Sequence, residues 1–302
     1  MSETPRILAI RGGAIGDFVL TLPALRLLRE NFAKCRLEIL GYPHIASLAL
    51  RCGPDGERPY ADAVHSIEYG PLAGFFARNG NLDAALCEMF SGYQQVVSWL
   101  FDPDGIFEAN VRRAGVKNYL SAYTKVNSEH HAAAQLARGL ESMALFLDAP
   151  PEATLRPTAE ALAEADAWIA SAGLKHGFTA IHPGSGSPRK NWPLEHWHKL
   201  AERLDGEILV IGGEADAAQL GTFSRHKLAQ NLPLPLLAGV LSRCGKYFGH
   251  DTGISHLAAA VGAKSTLLFG PTPASVWAPL GGHVRVIEAP DLATLSPEAV
   301  TA

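Results

Sequence analysis

A short apolar run, Ile7 to Ile10, passes straight into Arg11-Gly12-Gly13-Ala14-Ile15-Gly16-Asp17, and a helical pattern follows from Phe18 to Phe32. Strand, glycine loop and helix in that order open a βαβ unit, because a parallel neighbour can be reached only through a crossover. Arg36 to Leu40 reads as the second strand of that unit. Pro23 lies inside the helical pattern and predicts a kink or a restart, since proline lacks the N–H a helix needs. The alternation continues with strands predicted at Val64–Glu68, Gln95–Leu100 and Lys117–Ser121, and with the clearest later helix at His130–Phe146.

From Asp148 to Pro157 the chain holds three prolines in ten residues, which reads as a linker because proline fixes φ and blocks helix continuation. The rhythm then restarts. Helices are predicted at Thr158–Ala172, Leu194–Arg203 and Gly253–Val261, and strands at Phe178–His182, Glu207–Ile211, Ser265–Phe269 and Val284–Glu288. The expected class is α/β: two domains, residues 1–150 and 158–302, with parallel sheets facing across a cleft. A length of 302 residues allows for this at about 150 residues per domain.

Composition excludes several classes. The net charge is −4, so the chain is no general polyanion binder and no nucleic-acid partner is expected. No apolar run approaches the roughly 20 residues of a membrane span. Met1 to Arg6 is short and polar, unlike a signal peptide. The four cysteines, Cys35, Cys52, Cys87 and Cys244, are scattered without a C-x-x-C, which argues against a zinc site or a disulfide framework and fits a reducing cytoplasm.

Four segments carry chemistry. Gly12, Gly13 and Gly16 let backbone approach a ligand, and the helix that follows offers unpaired N–H groups to anionic oxygens. The spacing is G-G-x-x-G, not the dinucleotide G-x-G-x-x-G. Asp17 at that terminus is either a charge that complements the helix dipole or a functional carboxylate. The loop His182-Pro183-Gly184-Ser185-Gly186-Ser187-Pro188-Arg189-Lys190-Asn191-Trp192-Pro193 combines small residues, the Ser185 hydroxyl and the Lys190 cation, which suits a phosphate-bearing ligand. Glu214, after Ile211-Gly212-Gly213, can accept ribose hydroxyls or can simply face a helix N-terminus. In His250-Asp251-Thr252-Gly253-Ile254-Ser255-His256, Asp251 or Thr252 can cap a helix whose first N–H groups face a phosphate, and His256 lies one turn in. Asp102-Pro103-Asp104 spells D-x-D, but with Gly105 behind it the segment reads as a turn. His130 and His131 point apart on a helix, and Trp192, Trp197 and Trp277 suit either stacking or core packing.

Taken in order, Ile7–Arg11, Gly16-Asp17, Leu20-Thr21-Leu22-Pro23-Ala24-Leu25, His182-Pro183-Gly184-Ser185, Lys190-Asn191-Trp192-Pro193, Gly212-Gly213, Asp251-Thr252-Gly253, His256–Ala260, Phe269-Gly270-Pro271-Thr272 and Pro279-Leu280-Gly281 make the chain resemble glycosyltransferase family 9, the lipopolysaccharide heptosyltransferases. The resemblance implies a GT-B fold of two Rossmann-like domains. It also implies metal-independent, inverting transfer of heptose from ADP-heptose to a lipid-linked lipopolysaccharide core, without a cofactor. It places the enzyme in the cytoplasm, in peripheral contact with the inner membrane. By resemblance Asp17 matches the general base and Lys190 the diphosphate-contacting lysine. Asp251, Thr252, Gly253 and His256 match the donor-site loop, and Glu214 a ribose-contacting glutamate. Ser98 stands where members often carry an aspartate, and the glutamine usual near Leu100 is missing, both on the acceptor side. The helix expected after Ser296-Pro297-Glu298 is short.

The residues agree with that chemistry, because a carboxylate can take the proton of an attacking hydroxyl and cations with helix N-termini can stabilise a departing diphosphate. The competing classes are a nucleotide-sugar epimerase or hydrolase of the same architecture, a transferase using another sugar or a protein acceptor, and a non-catalytic nucleotide-binding scaffold.

Overall fold

The structure is a computed structural model that describes residues 4–213 and 216–301. In chain order the first half runs β1 (Arg6–Arg11), α1 (Ile15–Asn31), β2 (Arg36–Gly41), α2 (Pro43–Ala46), α3 (Leu48–Arg51), β3 (Cys52–Gly53), β4 (Ala63–Ser66), α4 (Ala84–Ser91), β5 (Gln95–Ser98), α5 (Ile106–Arg113), β6 (Tyr119–Ser121) and α6 (Ala132–Arg138). The second half runs β7 (Arg156–Pro157), α7 (Ala159–Ser171), β8 (Thr179–His182), α8 (Leu194–Arg203), β9 (Ile208–Gly212), α9 (Ala217–Leu220), β10 (Lys227–Gln230), α10 (Leu234–Leu241), β11 (Lys246–His250), α11 (Gly253–Ala260), β12 (Ser265–Phe269), α12 (Ala274–Trp277), β13 (Val284–Glu288) and α13 (Pro297–Thr301).

Two parallel sheets organise these elements, in the orders β4-β2-β1-β5-β6 and β10-β9-β8-β11-β12-β13. Their central strands are buried along their length, as in β9 (ILVIG), because helices cover both faces. The chain leaves β1 toward β2 and later returns on the other side as β5, and it does the same around β8 with β9 and β11. Each sheet therefore has a switch point. Ligands of open α/β sheets bind in the crevice at that point, outside the carboxyl ends of the strands. The loop ahead of Asp17 leaves β1, the Ser185–Lys190 loop leaves β8, and Asp251-Thr252-Gly253 leaves β11. All three lie at these crevices.

Several expectations are corrected. α1 runs through Pro23 without a restart, and its flanking residues Phe18 to Leu25 are buried, so packing holds the turn that proline weakens. The helix read at His130–Phe146 shrinks to Ala132–Arg138. It ends where Gly139 meets Ala122, since a Cβ on Gly139 would lie 2.7 Å from Ala122 Cβ. The sequence pattern misses β10, α10 and β11 altogether.

The proline-rich segment is tied to both halves. Tyr60 donates to the Thr154 carbonyl at 2.7 Å, and the Leu155 N–H donates to the Ala260 carbonyl at 2.7 Å. α13 packs on α8. Among the described residues, no helix is long and apolar enough to cross a membrane.

Candidate active site

The site is built from two helix N-termini that meet. Asp17 stands in the first turn of α1, and its Oδ2 accepts the Ala14 N–H at 3.1 Å. Gly13 makes room for it with φ +106°, a conformation costly for any side chain, and a Cβ there would lie 3.0 Å from Asp17 Oδ2. Arg11 Nη2 donates to the Asp17 carbonyl at 3.1 Å and lies 3.5 Å from Oδ1. Burial pulls the Arg11 pKa down, and the Asp17 charge opposes that shift. The Asp17 side chain stays 45% exposed, so its carboxylate remains open to a substrate.

Opposite it, Thr252 Oγ1 caps α11 by accepting the Ser255 N–H at 3.2 Å. The two termini approach so closely that a Cβ on Gly253 would lie 2.7 Å from Ile15 Cβ, and one on Gly16 would lie 3.4 Å from His256 Cδ2. Only glycine fits at position 253. His256 is buried, and that burial pushes its pKa down to about 4, with the Asp251 and Asp17 charges opposing the shift. It is therefore a neutral imidazole at physiological pH.

Lys190 Nζ donates to Asp251 Oδ2 at 2.6 Å, and Thr272 Oγ1 donates to the same oxygen at 2.6 Å. Ser185 Oγ lies 2.5 Å from Asn191 Oδ1 and accepts the Ser187 N–H at 3.2 Å, so it also shapes its own loop. Below this loop His250 Nε2 accepts the Trp192 N–H at 2.7 Å, which leaves its proton on Nδ1, 3.3 Å from the Gly184 carbonyl. Burial holds the His250 pKa down at about 3. His182 Nδ1 lies 3.3 Å from Thr252 Oγ1, and its Nε2 lies 3.7 Å from Asp216 Oδ2. Asp216 is held below the usual carboxylate range, first by His182 and also by the Gly213 N–H at 2.8 Å.

A cleft of about 830 Å³ opens between the halves. Of the residues given a site role from sequence, Gly16, Ser185, Thr252 and Gly253 line it, together with His182, Gly212 and Gly213 of the same motifs. Asp17 and His256 adjoin it through Gly16, and Lys190 and Asp251 through the Thr252 loop. Gly12 sits among Leu100, Ile67 and Tyr42 and does not line the cleft. Glu214 lies outside the described residues. Sequence reasoning missed His44, Asp216 and Asn231, which also line the cleft. A second acid two residues beyond Glu214 was the available signal for Asp216.

The remaining candidates have other roles. Asp102 accepts the N–H groups of Phe107 at 3.2 Å and Glu108 at 2.9 Å, as a turn that starts a helix requires. His131 caps α6 through Nδ1, and its Nε2 donates to the Ala278 carbonyl at 2.8 Å, joining the halves. Trp192 and Trp197 are core residues.

The sequence profile of glycosyltransferase family 9 (heptosyltransferase) matches residues 103–298. This chain belongs to glycosyltransferase family 9. It is similar to lipopolysaccharide heptosyltransferase 1 of Pseudomonas aeruginosa, with 26% identity over 88% of this chain and 79% of the relative. Its fold matches the crystal structure of a family 9 glycosyltransferase from Veillonella parvula at a TM-score of 0.81, with 18% identity over 100% of this chain and 96% of that one. It also matches E. coli ADP-heptose lipopolysaccharide heptosyltransferase II at 0.74, with 17% identity over 98% and 96%. The family 9 chain thus has the GT-B architecture, two Rossmann-like units with parallel sheets, and it is a glycosyltransferase.

Proposed function

We propose that this family 9 glycosyltransferase moves a heptose from ADP-heptose to a lipid-linked saccharide of the lipopolysaccharide core, with inversion and without a metal ion or cofactor. The observation that carries the reading is the apposition of the two helix N-termini, with Gly16 against Gly253 and His256. It sets the open carboxylate of Asp17 beside the end of α11, where N–H groups favour a diphosphate. In this reading the unit of residues 1–150 takes the acceptor and that of residues 158–302 the nucleotide sugar. Asp17 accepts the proton of the attacking hydroxyl while the new C1–O bond forms. The old C1–O bond breaks, and its electron pair leaves on the β-phosphate of ADP. Lys190, Thr252, Gly253 and His256 hold that diphosphate, Ser185 shapes the loop over it, Asp251 orients Lys190, and Glu214 takes the ribose. The names of the P. aeruginosa relative and of the E. coli structure support this donor and acceptor. The reaction belongs on the cytoplasmic side, in peripheral contact with the inner membrane that presents the acceptor.

The test is incubation with ADP-heptose, with and without deacylated inner-core oligosaccharide. ADP release coupled to a heptose-sized mass gain on the oligosaccharide is expected. Equal turnover of ADP-heptose without acceptor would instead identify an epimerase or hydrolase, and binding without turnover a scaffold.

A further inference from the structure

Phe101, at 70% exposure, is the most exposed large apolar side chain among the described residues. Its ring packs on Tyr123, with centroids 5.2 Å apart and planes tilted by 51°. The two follow the adjacent strands β5 and β6, at the carboxyl edge of the first sheet. β5, ahead of Phe101, pairs with β1, whose loop leads to Asp17. The Trp99 N–H extends the ladder to the Ile10 carbonyl at 2.9 Å, and a Cβ on Gly12 would lie 3.3 Å from Leu100. Arg11, at the carboxyl end of β1, touches Asp17.

Exposing two aromatic rings to water is unfavourable unless something covers them. The surrounding charges indicate what does. The loops that follow β4, β5 and β6 carry Glu68, Asp83, Asp102, Asp104 and Glu129 against Arg78 and Lys125. An acidic rim repels an anionic bilayer surface. It suits a sugar ring, whose C–H face lies on an aromatic ring while its hydroxyls donate to carboxylates. Asp104 is exposed and available for this, whereas Asp102 is occupied by the N–H groups of α5. The neighbouring guanidinium, Arg11, is directed to Asp17, so it is not displayed for a carboxylate or phosphate on the sugar.

We infer that Phe101 and Tyr123 form an aromatic platform that binds an uncharged sugar ring of the acceptor and sets its hydroxyl toward Asp17. This rests on the transferase reading above and adds the class of acceptor residue. The rings act as specificity-determining residues and take no part in proton transfer.

The test titrates the ADP-loaded protein with two probes, an uncharged methyl heptoside and a deacylated inner-core fragment ending in a carboxylate-bearing sugar, followed by ligand-observed NMR. Wild type should prefer the heptoside. Phe101→Ala and Tyr123→Ala should each weaken it by about 3- to 10-fold, the range of one aromatic contact. Phe101→Tyr should restore it, and ADP affinity should stay within about twofold in every variant. The inference is overturned if neither alanine variant changes heptoside affinity, if the carboxylate-bearing fragment binds better, or if the variants lose only binding to phosphatidylglycerol vesicles. Because the readout is binding, a wild-type protein that binds the heptoside yet transfers nothing from ADP-heptose would refute the proposed donor and leave the platform standing.

Discussion

Lys190 Nζ lies 2.6 Å from Asp251 Oδ2, so the loops leaving β8 and β11 are joined by charge at the switch point of the second sheet. These residues stand 61 positions apart in sequence, and only the parallel pairing of β8 with β11 brings them together. Asp251 is 9% exposed and also takes the Thr272 hydroxyl, so Lys190 is oriented before any ligand arrives.

Lys190→Ala should weaken ADP binding. A hydrogen bond to a charged group contributes about 1.5–3 kcal/mol, or roughly 10- to 150-fold in affinity. Calorimetric titration measures it. The loss should persist in the double variant Lys190→Ala, Asp251→Asn, where no carboxylate is left unpaired. Recovery of wild-type affinity there would show that Lys190 serves only to neutralise Asp251.

Asp17→Asn should cut transfer by about 10²–10⁴, the usual cost of losing a general base, with little change in ADP affinity. The substitution keeps an oxygen that can accept the Ala14 N–H, so α1 should remain capped. Steady-state kinetics and a thermal melt together decide the matter. A variant that transfers at near wild-type rate would reduce Asp17 to a helix-terminus charge.

Much of this site is legible in sequence because its residues cluster where strands end in glycine loops. β12 and β13 match their expected bounds, since β12 is an apolar run closed by Gly270 and Pro271 and β13 a β-branched run closed by Glu288. β10 escaped because KLAQ, at the edge of its sheet, buries only Ala229. α10 was hidden by Pro235 in its first turn and by Gly239. Gly239 is required there, as a Cβ would lie 2.7 Å from Ala165 Cβ on α7. What sequence order cannot reveal is pairing across loops, as between Lys190 and Asp251 or between His182 and Asp216.

Transfer should survive EDTA. Asp102, the first acid of the D-x-D, already accepts the N–H groups of Phe107 and Glu108, and a metal would have to displace them. Loss of transfer in chelator, with recovery on adding magnesium or manganese, would overturn both the turn reading and the metal-independent mechanism.

Stability should fall with acid in two stages. His250 and His256 have folded pKa values pushed down by burial to about 3 and about 4, whereas an unfolded histidine titrates near about 6.5. Unfolding therefore takes up protons below that value, and their contribution, full above it, declines as the pH drops toward 4 and 3. Glu38 acts lower. Burial alone would raise its pKa, but hydrogen bonds from His65, Tyr93 and Arg36 and the charge of Arg6 bring it to about 2. Its contribution is present above the unfolded value of about 4.3 and is lost as the pH falls from there through 2. Urea midpoints measured from pH 7 to pH 2 should show both declines. Glu38→Gln should lower the midpoint at pH 7, at a cost of about 1–3 kcal/mol for an ionic partner lost from a buried network, and should make the second decline shallower while sparing the first. A Glu38→Gln variant that still loses stability below pH 4 as steeply as wild type would assign that decline to other carboxylates.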